Sequence, residues 1–422
     1  MFKILTSLLL RFSGAIAKFV LTLYLAKFLS PQDLGEIALL IALVTISTQI
    51  IGMDVHYFNS RIISSGSKTI ASNTIKSQMF LHLISYIFLI PFLSFLVYIG
   101  FLKTSFFFLI LVIIIFEHLS IEITRFLQFI LRPNTGALIL FIRNALYVII
   151  FISISLSDKK YLSIDFLLVS WTFSIFIAFL LGIFFIRDYL LLQLSKTNKD
   201  LSYYLDLIKR SSPFLISSTF FMLLQFLDRF VLNYFDGEYL VGILFFYAGI
   251  ATSIHLFANY TVGVFHGPIA IKKFRNEGVD SYLKEKKIMI NRSVIAVVVA
   301  LVLAITLIEP LIEYVGRVEY IDYINIFYIF LLAQVLLVIS DFFQLDLYVR
   351  NFDKAIMKAS ISAGIFAFIF QIILVKNFSI YGAATATTIG VIMLTIFRYI
   401  FYKYDIKKNP DSKLEIKFKE NE

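Results

Sequence analysis

Apolar residues fill this chain in blocks of about twenty, separated by short polar stretches. A helix rising about 1.5 Å per residue needs about twenty residues to cross a hydrocarbon core of about 30 Å. Twelve such blocks are predicted as membrane-spanning helices, at 4–29, 36–60, 76–100, 104–131, 136–157, 163–186, 212–235, 239–267, 290–309, 321–346, 356–377 and 380–402. The fold class that follows is an all-α polytopic membrane protein. Pro31, Pro133, Pro213, Pro310 and Pro410 are expected in turns or at helix starts, leaving only Pro91 and Pro268 inside spans. Arg11 and Lys18 interrupt the first block and no small-residue cleavage site follows it, so it is read as a span and not as a signal peptide.

The blocks repeat. The stretch 227–249, LDRFVLNYFDGEYLVGILFFYAG, has a fainter copy at 26–40, AKFLSPQDLGEIALL. Phe28 aligns with Phe235 and Gly35 with Gly242, at an offset of 207 residues. An offset near half the chain length indicates a duplicated half-protein. Six spans per half enter the membrane in the same direction, which predicts two parallel six-helix bundles around a central cavity. The expected divisions are 1–187 for the N-terminal bundle, 188–211 for a cytoplasmic linker, 212–403 for the C-terminal bundle and 404–422 for a cytoplasmic tail.

Composition sharpens this reading. The 422 residues are 59% hydrophobic with a mean hydropathy of +0.87, more apolar surface than a soluble chain could bury. The formal charge of +10 could suggest nucleic acid, but the placement of the cations says otherwise. Of the 38 Lys and Arg residues, 23 lie in the termini and one alternate set of connections and 4 in the other set. That bias puts both termini in the cytoplasm and makes the charge a topology signal, with no nucleic-acid role. Cysteine is absent, which excludes disulfides and thiol chemistry. No Walker A, GxSxG or HExxH sequence is present, so no enzyme chemistry and no cofactor is expected.

The candidate chemistry lies in polar residues inside spans. Arg11 and Lys18, seven residues apart, share one face of the first span. A cation at the centre of a lipid-facing helix costs about 2.5–3.5 kcal/mol, so such groups face an interior partner or a wet cavity. At the repeat offset they map to Ser218 and Gln225, and Ser211, Ser218, Gln225 and Arg229 form one helical stripe. Asp228 is rotated about 100° from Arg229 and is expected to bond a neighbouring span. The eighth span carries Thr252, His255, Asn259, Gly263 and His266, matched pairwise in the second by Thr45, Thr48, Gly52, His56 and Asn59. Interhelical hydrogen bonding and a shared cleft-facing role both fit these stripes. In the fourth span Glu117, His118, Glu122 and Arg125 cluster, and His118, Glu122 and Arg125 share a face. They are read as a self-neutralising group, with a carboxylate coupled to an ion gradient as the alternative. Glu117, Glu122 and Asp54 are the ion-coupling candidates.

The stretches RFSGAIAKFVLTLYLAKFLSPQDLGEIALL, LDRFVLNYFDGEYLVGILFFYAG and RNFDKAIMKAS resemble the polysaccharide branch of the multidrug/oligosaccharidyl-lipid/polysaccharide exporter superfamily, and within it the O-antigen flippases. The resemblance implies a V-shaped cavity that alternates between inward-open and outward-open. It implies movement of an undecaprenyl-pyrophosphate-linked oligosaccharide between leaflets of the bacterial inner membrane. Membrane lipids, a polysaccharide polymerase and a chain-length regulator are the partners it implies. Cations of the first span line the cavity in such flippases, the region of Arg11 and Lys18 here. On this reading Arg11, Lys18, Gln225, Arg229, His255 and Asn259 contact substrate. Where some relatives carry further arginines in the second and eighth spans, this chain has His56, His255 and His266.

Rival readings make different demands. A multidrug/cation antiporter of the same superfamily calls for an acidic cavity. A peptidoglycan lipid precursor flippase calls for spans beyond twelve. A membrane glycosyltransferase or polymerase calls for a large outer loop with catalytic residues.

Overall fold

The computed structural model describes residues 2–65, 67–192 and 201–408. These are almost entirely helical, and no strand occurs among them. The chain divides into two compact units, Met1–Thr219 and Phe220–Glu422.

The first unit contains α1 (Phe2–Phe28), α2 (Pro31–Gly52), α3 (Val55–Ser65), α4 (Lys68–Ile87), α5 (Leu89–Tyr98), α6 (Phe107–Phe129), α7 (Pro133–Phe141), α8 (Tyr147–Ser157), α9 (Ile164–Leu190) and the start of α10 (Leu201–Asp236). A π-turn, Ile142–Leu146, joins α7 to α8. The second unit holds the remainder of α10, then α11 (Glu238–Ala258), α12 (Val264–Asn276), α13 (Val279–Val315), α14 (Val318–Ile321), α15 (Ile324–Val349) and α16 (Asp353–Lys408). Here a π-turn, Asn259–Gly263, joins α11 to α12.

Eleven helices among the described residues are long and apolar enough to cross a membrane. The last of them, Asp353–Tyr404, is a hairpin and not one rod. Ser379 has φ 52° and ψ −133°, outside helical space. Across that bend Gln371 donates from Nε2 to the Ala383 carbonyl (3.1 Å) and to Thr387 Oγ1 (2.9 Å). A Cβ on Gly382 would lie 2.0 Å from the Leu374 carbonyl oxygen, so only glycine lets the two arms approach. With this bend each of the twelve predicted blocks finds its helix. Phe80, Leu83, Ile87, Phe88, Phe92 and Phe95 on α4–α5 are exposed, as are Val294, Ile295, Val298, Val302, Leu303 and Ile305 on α13. Surfaces of this kind suit acyl chains and not water.

The structure differs from the sequence reading at several points. Residues 201–211, expected in the linker, form the first turns of α10; 193–200 lie outside the described residues, as do 409–422 of the expected tail. The first unit runs on to Thr219 because Leu207, Tyr203, Tyr204 and Ile208 pack with Val55 and Leu81. Pro213 and Pro310 sit inside α10 and α13 and not in turns. The second block is interrupted: α2 ends at Gly52, and Met53 (φ 46°) and Asp54 (φ 50°) are left-handed before α3 begins.

The repeat register survives at the level of backbone. α2 starts at Pro31 and α11 at Glu238, which is the 207-residue offset. Ser30 caps α2 through a reciprocal pair with Asp33, whereas Gly237 (φ 82°) stands at the matching position. Both copies leave regular helix within one residue of the same register, α2 after Gly52 and α11 after Ala258.

Candidate functional site

Three polar clusters stand inside the apolar helix layer. The first is built on α1. Gly14 is buried, and a Cβ there would lie 3.3 Å from Asn144 Cβ in the π-turn, so glycine lets α1 press against that turn. This seats the turn's Arg143 near Lys18. Arg143 Nε lies 3.5 Å from Glu117 Oε1 on α6, and Lys18 feels both charges. Lys18 is exposed on α1, while Glu117 is 8% exposed. Two cations share one carboxylate, an excess of one positive charge. Arg11 is half-buried one turned heptad earlier on the same helix.

The second cluster is the largest. Asp54, at the break between α2 and α3, accepts from Gln49 Nε2 (2.6 Å) and from Ser218 Oγ on α10. Arg125 donates from Nη1 to Glu122 Oε1 (2.6 Å) and to His56 Nδ1 (3.1 Å). A guanidinium only donates, so His56 accepts and is neutral here. Gln78 of α4 bonds Glu122 Oε2 and accepts from Asn59 Nδ2 at 2.7 Å. His118 Nδ1 pairs with Tyr86 Oη at 2.7 Å, and its ring packs edge-on against His82 at 4.5 Å. Asp54, Glu122, His82 and His118 are all at most 3% exposed. Hydrogen bonds offset the burial of Asp54, Glu122, Arg125 and Gln78, whereas both His82 ring nitrogens, His118 Nε2 and Asn59 Oδ1 are buried without a hydrogen-bond partner among the described residues. A Cβ on Gly52 would stand 3.1 Å from His118 Nε2, so glycine lets the end of α2 approach that ring closely.

The third set lies in the second unit. Asp228 is buried on α10, takes the Arg229 backbone N–H at 2.8 Å and faces Thr387 Oγ1 of α16 at 3.4 Å. The neighbouring span expected for Asp228 is therefore the second arm of the hairpin. Arg229, 9% exposed, lies over the rings of Phe226 and Phe245, 4.9 and 5.1 Å from their centroids. Gln225 is half-buried one turn earlier. His255 Nε2 donates to Asp341 Oδ2 at 2.7 Å. Asp341 also takes Arg398 Nη1 at 3.4 Å, and Arg398 bonds Ser340 Oγ at 2.9 Å. His255 and Asn259 open onto a cavity of about 170 Å³ between α11, α12, α13 and α15. His266 is separate from it: its Nε2 accepts from Arg292 (2.7 Å) and its Nδ1 donates to Glu285 (2.5 Å), which also binds Lys273.

The structure thus brings Lys18 and Glu117 together, and Asp54 and Glu122 into one network. Sequence reasoning missed Arg143, His82 and Gln78. Arg143 was legible as a cation deep in an apolar run after Pro133. Gln78 and His82, four residues apart, were legible as a polar stripe.

No family model matches the sequence, and no curated protein does. Solved structures do match in shape. An inward-facing multidrug resistance MATE family transporter of the MOP superfamily superposes with a TM-score of 0.70, at 14% identity, over 95% of this chain and 98% of that one. An outward-facing MATE family transporter gives 0.66 at 14% identity, over 96% of each chain. The lipid II flippase MurJ in an inward closed conformation gives 0.67 at 16% identity, over 95% of this chain and 87% of the other. The chain has the fold these transporters share. At such identities the likeness is one of fold.

Proposed function

We propose that this protein is a flippase for an undecaprenyl-pyrophosphate-linked oligosaccharide, an O-antigen or capsule repeat unit, working in the bacterial inner membrane with both termini cytoplasmic. The observation that carries the reading is the excess positive charge at Lys18, Arg143 and Glu117 within an apolar layer. A cation without its full complement of anions at membrane depth is costly unless a ligand supplies the missing charge. A pyrophosphate is such a ligand, with several acceptors for ammonium and guanidinium groups. In this reading Arg11 and Lys18 of the first unit bind the pyrophosphate, and Gln225, Arg229, His255 and Asn259 are the substrate-binding residues of the second unit. The fold shared with MATE transporters and with MurJ supports transport across a bilayer.

The cationic excess disfavours cationic drugs as cargo. Purified protein reconstituted in liposomes should move a fluorescent undecaprenyl-pyrophosphate oligosaccharide between leaflets, and should neither move lipid II at a comparable rate nor extrude a cationic dye. Dye extrusion without movement of the glycolipid would favour the antiporter reading. Movement of lipid II in preference to the oligosaccharide would favour the peptidoglycan precursor.

A further inference from the structure

The cavity behind His255 has a size and a chemistry that the pyrophosphate contacts do not use. At about 170 Å³ it holds several waters, at ~30 Å³ each in the liquid. It is smaller than the ~300–1,000 Å³ of sites for drug-sized ligands. One sugar ring fits that space, and an oligosaccharide does not. Its polar groups are His255, Asn259, Ser293 and Asp341. Its apolar wall includes Phe342 and Met289.

The charge of this cavity is balanced. Asp341 is met by His255 on one oxygen and by Arg398 on the other. With His255 Nε2–H given to Asp341, its Nδ1 is an acceptor in the neutral ring. Asn259 and Ser293 each offer both a donor and an acceptor. A neutral, donor-and-acceptor set facing an aromatic wall matches a pyranose, which carries hydroxyls on its rim and C–H groups on its faces. It matches neither a phosphate nor a cation. The backbone is shaped for the same end. The π-turn Asn259–Gly263 re-aims Asn259, and a Cβ on Gly263 would fall 2.5 Å from Asn259 Oδ1. A Cβ on Gly267 would meet nothing within 4 Å, so glycine there leaves the cavity open.

From this we infer that the cavity lined by His255, Asn259, Ser293, Asp341 and Phe342 is a binding subsite for one neutral sugar ring of the lipid-linked cargo. The inference rests on the flippase reading and adds a selectivity element to it.

The test is equilibrium binding to purified full-length protein in nanodiscs. The probes are undecaprenyl pyrophosphate and the same lipid bearing one neutral hexose, one N-acetylhexosamine or one uronic acid. Wild type should prefer a neutral-sugar lipid over the bare lipid on the order of tenfold, the value of one or two net hydrogen bonds. Gly267→Leu fills the cavity and should bring that preference toward unity. Pro268 restrains the residue before it, so Asn259→Ala is the second variant and should lower the same ratio. Retention of the preference in both variants would overturn the subsite, as would preference for the uronic acid alone or for no sugar. Failure of wild type to bind any of the lipids, the bare one included, would instead sink the flippase reading.

Discussion

Lys18 and Glu117 sit in one cluster, yet their removal should have opposite consequences. Glu117→Gln takes away the carboxylate that, among the described residues, Arg143 and Lys18 share. At 3.5 Å and an effective dielectric of about 20, the Glu117–Arg143 attraction is about 5 kcal/mol. Breaking a buried pair costs about 3–5 kcal/mol, and Arg143 keeps 12% of its side chain accessible, so about 3 kcal/mol is expected. The melting temperature in nanodiscs should fall by several degrees. Lys18→Gln removes the excess cation and makes the first span more apolar, so stability and membrane level should hold or rise. Transport should nonetheless fall. A charge-assisted hydrogen bond is worth about 1.5–3 kcal/mol, which is roughly tenfold to a hundredfold in substrate engagement. Lys18→Arg keeps a cation at that depth and should retain much of the activity. The assay is surface polysaccharide restored in a strain lacking its own flippase, with membrane levels and melting curves recorded for each variant. Wild-type polysaccharide from Lys18→Gln at equal expression, together with a Glu117→Gln protein that melts like wild type, would refute the charge reasoning.

Other consequences can be checked more briefly. Glu122→Gln removes the negative charge opposite Arg125 and leaves one accepting oxygen where Arg125 and Gln78 use two, so it should cost about 3–5 kcal/mol, with the pH dependence of transport unchanged; a clear shift in that dependence would identify Glu122 as an ion-coupling carboxylate. Gly382→Ala drives a methyl into the Leu374 backbone and should destabilise the hairpin by about 3 kcal/mol in a thermal or urea melt, whereas the same change at Gly267 should be nearly neutral. Thr69→Cys should be shielded from an impermeant thiol reagent in intact cells and Asp236→Cys labelled, both positions being exposed; the reverse pattern would invert the assigned topology.

Element existence was readable because hydropathy in blocks of twenty has few solutions in a membrane, and every predicted block finds a helix. The repeat was readable too: Phe28 and Phe235, aligned by residue type, lie at the ends of α1 and α10, within one residue of the last, and the helices that follow begin 207 residues apart. The interruption of the second block was not readable. Met53 does not favour left-handed backbone, and although Asp tolerates it better than most residues, GMD at 52–54 alone does not mark it; bonds from Gln49 and Ser218 hold Asp54 there. The bend at Ser379 was readable as a boundary, because the blocks 356–377 and 380–402 part there; its backbone geometry, held by Gln371 reaching across to the second arm, was not. Partnerships among polar residues were half-readable. Helical spacing gave Glu122 with Arg125, since i and i+3 meet on any helix. It could not give Arg143 with Glu117, which depends on where the π-turn packs against α1.

These departures from regular helix are concentrated where the polar residues are. Gly52–Asp54 borders the carboxylate–histidine network, Ile142–Leu146 carries Arg143, and Asn259–Gly263 opens the cavity beside His255. Irregular backbone at membrane depth exposes carbonyl and amide groups that lipid cannot satisfy, so it is tolerated only against protein or beside a wet cavity. A duplicated half-protein with no polar function would be free to regularise both copies into continuous helix. Instead the two copies break within one residue of the same register and differ there, one passing into left-handed Met53 and Asp54 and the other into a π-turn that starts at Asn259. A buried acid–histidine network now occupies one copy, and a neutral, sugar-sized cavity the other.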